Sequence, residues 1–202
     1  MDVSPADAFF DALAQRFAAR PTRQVDLPGL VLRESAVLVP LHARGGQPHV
    51  VFTQRPAHLR THAGQFAFPG GTRDAADASP EATALREAHE ELGIPPGGVR
   101  LLGRLDEVPT LTEFRIQPVV GVIAPDLQYV PSAHEVALIL EVPLAHFLDP
   151  AVRRTEQRSA HGRTYEVDFY QHGEHVIWGA TARILRNLLR AARDLPGLGA
   201  PP

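Results

Sequence analysis

The chain has 202 residues, 44% of them hydrophobic and 21% charged, the balance of a globular protein with material for a sizeable core. A formal net charge of -3 argues against broad phosphate neutralisation, so nucleic acid is not an expected partner. The absence of cysteine excludes disulfides, thiolate catalysis, zinc ribbons and iron–sulfur clusters, which leaves carboxylates, carbonyls and imidazoles as metal donors. Met1-Asp2-Val3 has no basic stretch, and no apolar run approaches the roughly 20 residues that cross a bilayer. A cytoplasmic protein without a membrane partner is expected. All 20 basic residues are Arg, which reads as a composition bias and carries no functional weight.

Ser4-Pro5 is a helix start, a hydroxyl cap followed by proline at the first helical position, and Phe9, Leu13 and Phe17 recur at i, i+4 spacing up to Arg20. This predicts an amphipathic helix that docks on a core. After a connector over residues 21–34, residues 36–43 and 48–55 are apolar runs around Arg44-Gly45-Gly46, a hairpin of two core strands. Residues 56–78 have little periodicity, but Gly64, Pro69, Gly70 and Gly71 bend the chain and let backbone approach a ligand. Ser79-Pro80-Glu81 opens a second helix, which runs to Leu92 and stops at Gly93 because Pro95 and Pro96 forbid continuation. Residues 99–105, 115–123, 135–141 and 164–169 read as strands, 144–148 as a short helix, 180–194 as a last helix and 196–202 as a frayed tail. There is no internal repeat. The elements predict one mixed α/β domain over residues 1–202, with helical additions at both ends.

The most specific segment is Arg86-Glu87-Ala88-His89-Glu90-Glu91-Leu92-Gly93-Ile94. At about 100° per residue, Glu87, Glu90 and Glu91 share one arc of the helix, while Leu85, Ala88 and Leu92 form the neighbouring apolar face. Like charges at these spacings cost about 0.2–0.5 kcal/mol per pair, and the last turn of a helix disfavours negative charge. A hard divalent cation relieves both penalties, since it takes oxygen ligands and accepts one or two carboxylates beside waters and phosphates. The alternative for this segment alone is a solvated acidic face offset by Arg86, one turn before Glu90.

A glycine turn at Gly70-Gly71, then Asp77, then this helix makes a loop–helix–loop unit. Here the sequence resembles the Nudix hydrolases, whose box reads Gly, five residues, Glu, seven residues, then Arg-Glu-apolar-any-Glu-Glu-any-Gly-apolar. Residues 86–94 match its second half, with Ala88 as the apolar member. Counted from Gly71, Asp77 stands where the box has Glu, and eight residues instead of seven separate it from Arg86, so the resemblance does not make Asp77 a metal ligand. It implies that Glu87 and Glu91 are metal ligands, that Glu90 is an additional ligand or a base, and that Arg86 orients the carboxylates.

Upstream, residues 51–71 look like the second signature of the coenzyme A pyrophosphatase branch of that family: Leu-Leu-Thr-any-Arg-Ser, an Arg, a Gly, then Phe-Pro-Gly-Gly. Thr53, Arg55, Arg60, Gly64, Phe68, Pro69, Gly70 and Gly71 fall in register, while Val51 and Phe52 replace Leu and Pro56 replaces Ser. The resemblance implies a Nudix-type α/β/α sandwich with a mixed β-sheet, a Nudix box at about 71–94 and a coenzyme A signature at about 51–71. It implies Mg²⁺- or Mn²⁺-dependent hydrolysis of coenzyme A to 3′,5′-ADP and 4′-phosphopantetheine, with Arg55, Arg60, Gly70 and Gly71 at the substrate; His62, outside the signature, is a further candidate donor there, with a surface or packing role as its alternative. The chemistry agrees, because guanidinium groups make bidentate charge-assisted bonds to the diphosphate and 3′-phosphate that coenzyme A carries.

Glu135 is a further catalytic candidate, an acid at the start of a strand near where the family often places a residue that assists metal or water. Phe66 and Phe68 alternate as core positions, and Trp178 reads as a core anchor between the last strand and the C-terminal helix. The ten His residues are scattered along the chain, and the serines lack a GxSxG setting. Two rivals stand beside coenzyme A hydrolysis. One is cleavage of another nucleoside diphosphate, such as ADP-ribose or NADH. The other is a silent nucleotide-sensing Nudix module, against which the intact Glu87, Glu90 and Glu91 count. Free, oxidised and acylated coenzyme A fit the signature equally, and no pattern speaks to oligomeric state.

Overall fold

The computed structural model describes residues 4–25, 31–59, 61–110, 112–160 and 163–199. Helix α1 (Pro5–Ala18) begins as its sequence dictates: Ser4 Oγ accepts from the Asp7 N–H at 3.1 Å, and Phe9, Phe10, Leu13 and Phe17 are buried. Strands β1 (Arg33–Arg44) and β2 (Gln47–Gln54) form the expected hairpin. Its turn needs two left-handed residues, and Gly45 and Gly46 supply them at φ 57° and 75°.

The two-residue β3 (Phe66–Ala67) pairs with the end of β2, and β4 (Gly70–Thr72) pairs with the start of β1. Helix α2 (Pro80–Leu92) then crosses one face of the sheet. Strands β5 (Arg100–Arg104), β6 (Val108–Pro109), β7 (Phe114–Val122) and β8 (Leu138–Pro143) complete eight strands, with β1 and β7 parallel and every other pairing antiparallel. A separate antiparallel sheet of β9 (Arg153–Ala160), β10 (Arg163–His172) and β11 (His175–Trp178) leads into α3 (Gly179–Ala192).

Strand alternation sorts the core into two layers. Ala36, Leu38, Val51 and Val119 face α2 and pack with Ala84, Ala88 and Leu92. Val39, Leu41, Val50, Phe52 and Val120 face the other way and join α1 and α3 in a larger cluster. The mixed sheet between helices is the expected α/β/α arrangement, and no described helix is long and apolar enough to cross a membrane.

Four expectations need correction. Strand β8 begins at Leu138, so Glu135 lies in a turn before it, where its N–H donates to the Ser132 carbonyl at 3.0 Å. Trp178 is 42% exposed and is not a core anchor; it stacks on Phe169 with planes 8° apart. The segment read as a frayed tail is packed as far as Leu198, which is buried in the larger cluster. Strand β9 was not expected, because Arg-Arg-Thr-Glu-Gln-Arg-Ser-Ala offers no apolar alternation, and pairing with β10 creates it.

Candidate active site

Local signals fix the acidic helix. Ser79 Oγ accepts from the Ala82 N–H at 3.3 Å, and Gly93 ends α2 in the left-handed conformation at φ 70°. The loop that follows β7 satisfies carbonyls of the last turn, with Val130 N–H donating to Leu92 at 2.9 Å and Ser132 N–H to Glu91 at 2.8 Å. The second of these bonds brings the turn holding Glu135 beside the carboxylates.

The three glutamates grade from inside to outside. Glu91 is 7% exposed, while the side chains of Glu87 and Glu90 are 17% and 54% exposed. Burial pushes the Glu91 carboxyl up to about 7; its bond from the Gly70 N–H, 3.2 Å, opposes that rise, while the charges of Glu135 and Glu87 add to it. Burial also raises Glu87, against the pull of Arg86, and Glu90 and Glu135 push the same way. Opposite them the glycine turn presents bare backbone. A Cβ at Gly71 would overlap the Glu87 carboxylate, and one at Gly70 would overlap the β1 backbone at Ala36 and Val37. Gly71→Ala is therefore expected to displace Glu87 and lower metal-dependent turnover at least about ten-fold, while the circular dichroism spectrum keeps its shape. Unchanged turnover would remove Glu87 from the site.

Arg86 ties the site to the preceding loop. Its Nε and Nη2 donate to Asp77 at 3.2 and 3.0 Å, and its Nη1 lies 2.9 Å from Glu87 and 3.2 Å from Glu90. Asp77 is 6% exposed, and the guanidinium holds its carboxyl down to about 2. Asp77 also accepts from the Asp74 N–H at 2.9 Å in the turn before the helix. Asp77 thus positions Arg86, a role the box spacing alone did not reveal.

Arg55 stands just beyond the end of β2, where its charge acts on Glu91 and its Nε is buried without a hydrogen-bond partner among the described residues. A guanidinium left short of partners suits an anionic ligand. His62 is exposed, adopts φ 55° and contacts Gln65 through Nδ1 at 2.8 Å. Arg60 lies outside the described residues. Phe66 and Phe68 are core, as expected. The fold thus brings Gly70, Gly71, Arg55, Glu87, Glu91 and Glu135 together and leaves Glu90 at the rim, paired to Arg86.

Among the described residues no three His, Asp or Glu side chains stand together as a ready metal cage. The donor set nevertheless fits a hard divalent cation: two partly desolvated carboxylates with raised pKa face a turn that has no Cβ, with a third acid nearby. Arg86 supplies positive charge to Glu87 and Glu90.

The family model for the NUDIX domain matches residues 32–161. The chain is also 43% identical over 189 residues to the uncharacterized Nudix hydrolase NudL of Enterobacter sp. (strain 638), across 90% of this chain and 94% of that protein. The chain belongs to the Nudix hydrolase family. NudL of Escherichia coli (strain K12) is similar at 42% identity over 189 residues, across 88% and 91% of the two chains. Among solved structures, the Nudix hydrolase RenU from M. smegmatis superposes with a TM-score of 0.50 at 25% identity, across 61% of this chain and 84% of that one. DR0079 from Deinococcus radiodurans gives a TM-score of 0.51 at 14% identity, a likeness of fold, across 79% and 86%. Nudix hydrolases generally work with divalent metal ions, and in this member the acidic end of α2 is where the donor chemistry suits one.

Proposed function

We propose that the protein is a Mg²⁺- or Mn²⁺-dependent pyrophosphatase that hydrolyses the diphosphate bond of coenzyme A or its derivatives to 3′,5′-ADP and 4′-phosphopantetheine. The observation that carries the reading is Arg55, a signature residue whose buried Nε has no hydrogen-bond partner among the described residues and whose guanidinium is close enough to act on Glu91. A diphosphate beside it takes charge-assisted hydrogen bonds from the guanidinium.

Glu87 and Glu91 would hold the ion, and Glu90 would serve as an additional ligand or base at the rim. When bound, the cation neutralises diphosphate charge and lowers the pKa of a water. In-line displacement at phosphorus then needs positioning and charge stabilisation more than covalent help. Arg55 supplies the positive charge, the Gly70–Gly71 turn lets phosphate approach backbone, and Arg86 fixes Glu87. Glu135 and Glu90 stand as proton acceptors beside the buried pair.

Arg55→Ala is expected to raise KM for coenzyme A about ten-fold or more while Mn²⁺ still binds, measured by steady-state kinetics and calorimetry. An unchanged KM would sink the assignment of Arg55. The reading as a whole is tested by release of 3′,5′-ADP from coenzyme A in the presence of the cation.

A further inference from the structure

A cleft of about 400 Å³ opens beside the end of β2, lined by Gln54, Gly64, Gln65, Phe66, His175 and Trp178. Trp178 is its largest ring. The register of the three-stranded sheet places Arg154, Phe169 and Trp178 in one cross-strand row. The Arg154 guanidinium sits 4.2 Å from the Phe169 centroid, and the indole stacks on Phe169 at 6.0 Å. Trp178 ends this row on an edge strand, 42% exposed and beside the cleft. A row of stacked groups with an open end is completed by one more planar ring.

The polar atoms specify the ring further. Gln54 Nε2 already donates to the Gly64 carbonyl at 3.1 Å, and Gln65 Oε1 is engaged by His62 at 2.8 Å. Among the described residues that leaves Gln54 Oε1 as an acceptor and Gln65 Nε2 as a donor on two residues that line the cleft, the pair that an adenine edge needs for its N–H and its ring nitrogen. A saturated pantetheine chain has no π-face to offer the indole. The wall of the cleft is also tied to the phosphate-binding side: the Arg55 N–H donates to Gln65 at 3.0 Å, and the Gly64 N–H donates to Arg55 at 3.1 Å.

We infer that this cleft is the base subsite, in which Trp178 stacks on the purine of a nucleotide substrate whose diphosphate lies at Arg55; the inference rests on the coenzyme A reading for the identity of that nucleotide. Trp178 is the only tryptophan in the chain, so its emission reports the cleft directly. With chelator present to prevent turnover, AMP and 3′,5′-ADP are expected to quench it saturably, and 4′-phosphopantetheine is not. Trp178→Ala should raise KM for coenzyme A about ten-fold, within the roughly 5- to 150-fold that base stacking contributes, with kcat held within about two-fold. Trp178→Phe should restore most of the loss, and its circular dichroism spectrum shows whether both variants are folded. Quenching by 4′-phosphopantetheine alone, or an unchanged KM in folded Trp178→Ala, overturns the base subsite while leaving coenzyme A hydrolysis standing. Quenching by AMP in a protein that does not hydrolyse coenzyme A upholds the subsite and removes the coenzyme A reading.

Discussion

Glu91→Gln is expected to lose at least about a hundred-fold in metal-dependent turnover and, in the metal-free protein at pH 8, to melt about 5 °C or more above wild type. Both effects come from one buried carboxylate. In the fold Glu91 titrates at about 7, against an ordinary value of 4.5. The folded state therefore favours the protonated form: below pH 4.5 there is no penalty, and stability is lost as pH rises towards 7. At pH 8 the cost is on the order of 3 kcal/mol, and a chain of this size shifts by about 2–4 °C per kcal/mol. Gln keeps an acceptor for the Gly70 N–H and removes the charge. The stability gain should shrink as pH falls and vanish below about 4.5, read by thermal denaturation across pH. Mn²⁺ should raise the melting temperature of wild type at pH 8 and leave the variant nearly unmoved. A variant with wild-type turnover, or with no pH-dependent gain, would contradict the proposed role.

Arg86→Ala should be the most destabilising change near the site, by about 3–5 kcal/mol, because it strands Asp77 as a buried charge without its partner. Asp77→Ala should cost less. It leaves an arginine that is still paired with Glu87 and Glu90 and partly solvated, with 31% of its side chain exposed. The pH dependence has the opposite sign to that of Glu91. Asp77 is held at about 2, below its ordinary 3.8, so its contribution is full above 3.8 and is lost as pH falls towards 2. Urea denaturation of both variants at pH 7 tests the order, and equal costs would mean that a stranded Asp77 charge does not set the cost of Arg86→Ala.

The acidic helix was legible because its determinants are local. Ser79, Pro80 and Gly93 mark its ends, and the 3.6-residue period puts its glutamates on one arc. What distinguishes the glutamates was not legible: the burial of Glu91 and the exposure of Glu90 depend on the glycine turn and on the loop from Ala124 to Ala137 closing over the helix end. The same loop carries Glu135 to the site, although the start of β8 falls later than the apolar pattern suggests. Asp77 is a long-range case, since its pairing with Arg86 follows from a turn that no spacing rule describes. Trp178 shows the converse: the run His175-Val176-Ile177-Trp178 reads as core until pairing makes β11 an edge strand and leaves the indole outward. Position in a sheet is a tertiary property, and alternation alone does not carry it.

The central claim, coenzyme A cleavage at the acidic end of α2, is tested most directly by chromatographic product analysis of the purified protein with coenzyme A, ADP-ribose and NADH in turn. Each is assayed with Mg²⁺ or Mn²⁺ and again with a chelator. Equal release of 3′,5′-ADP and 4′-phosphopantetheine from coenzyme A, abolished by the chelator and well above turnover of the other two, is the predicted result. Faster cation-dependent cleavage of ADP-ribose or NADH, or no product from any of the three, would contradict it.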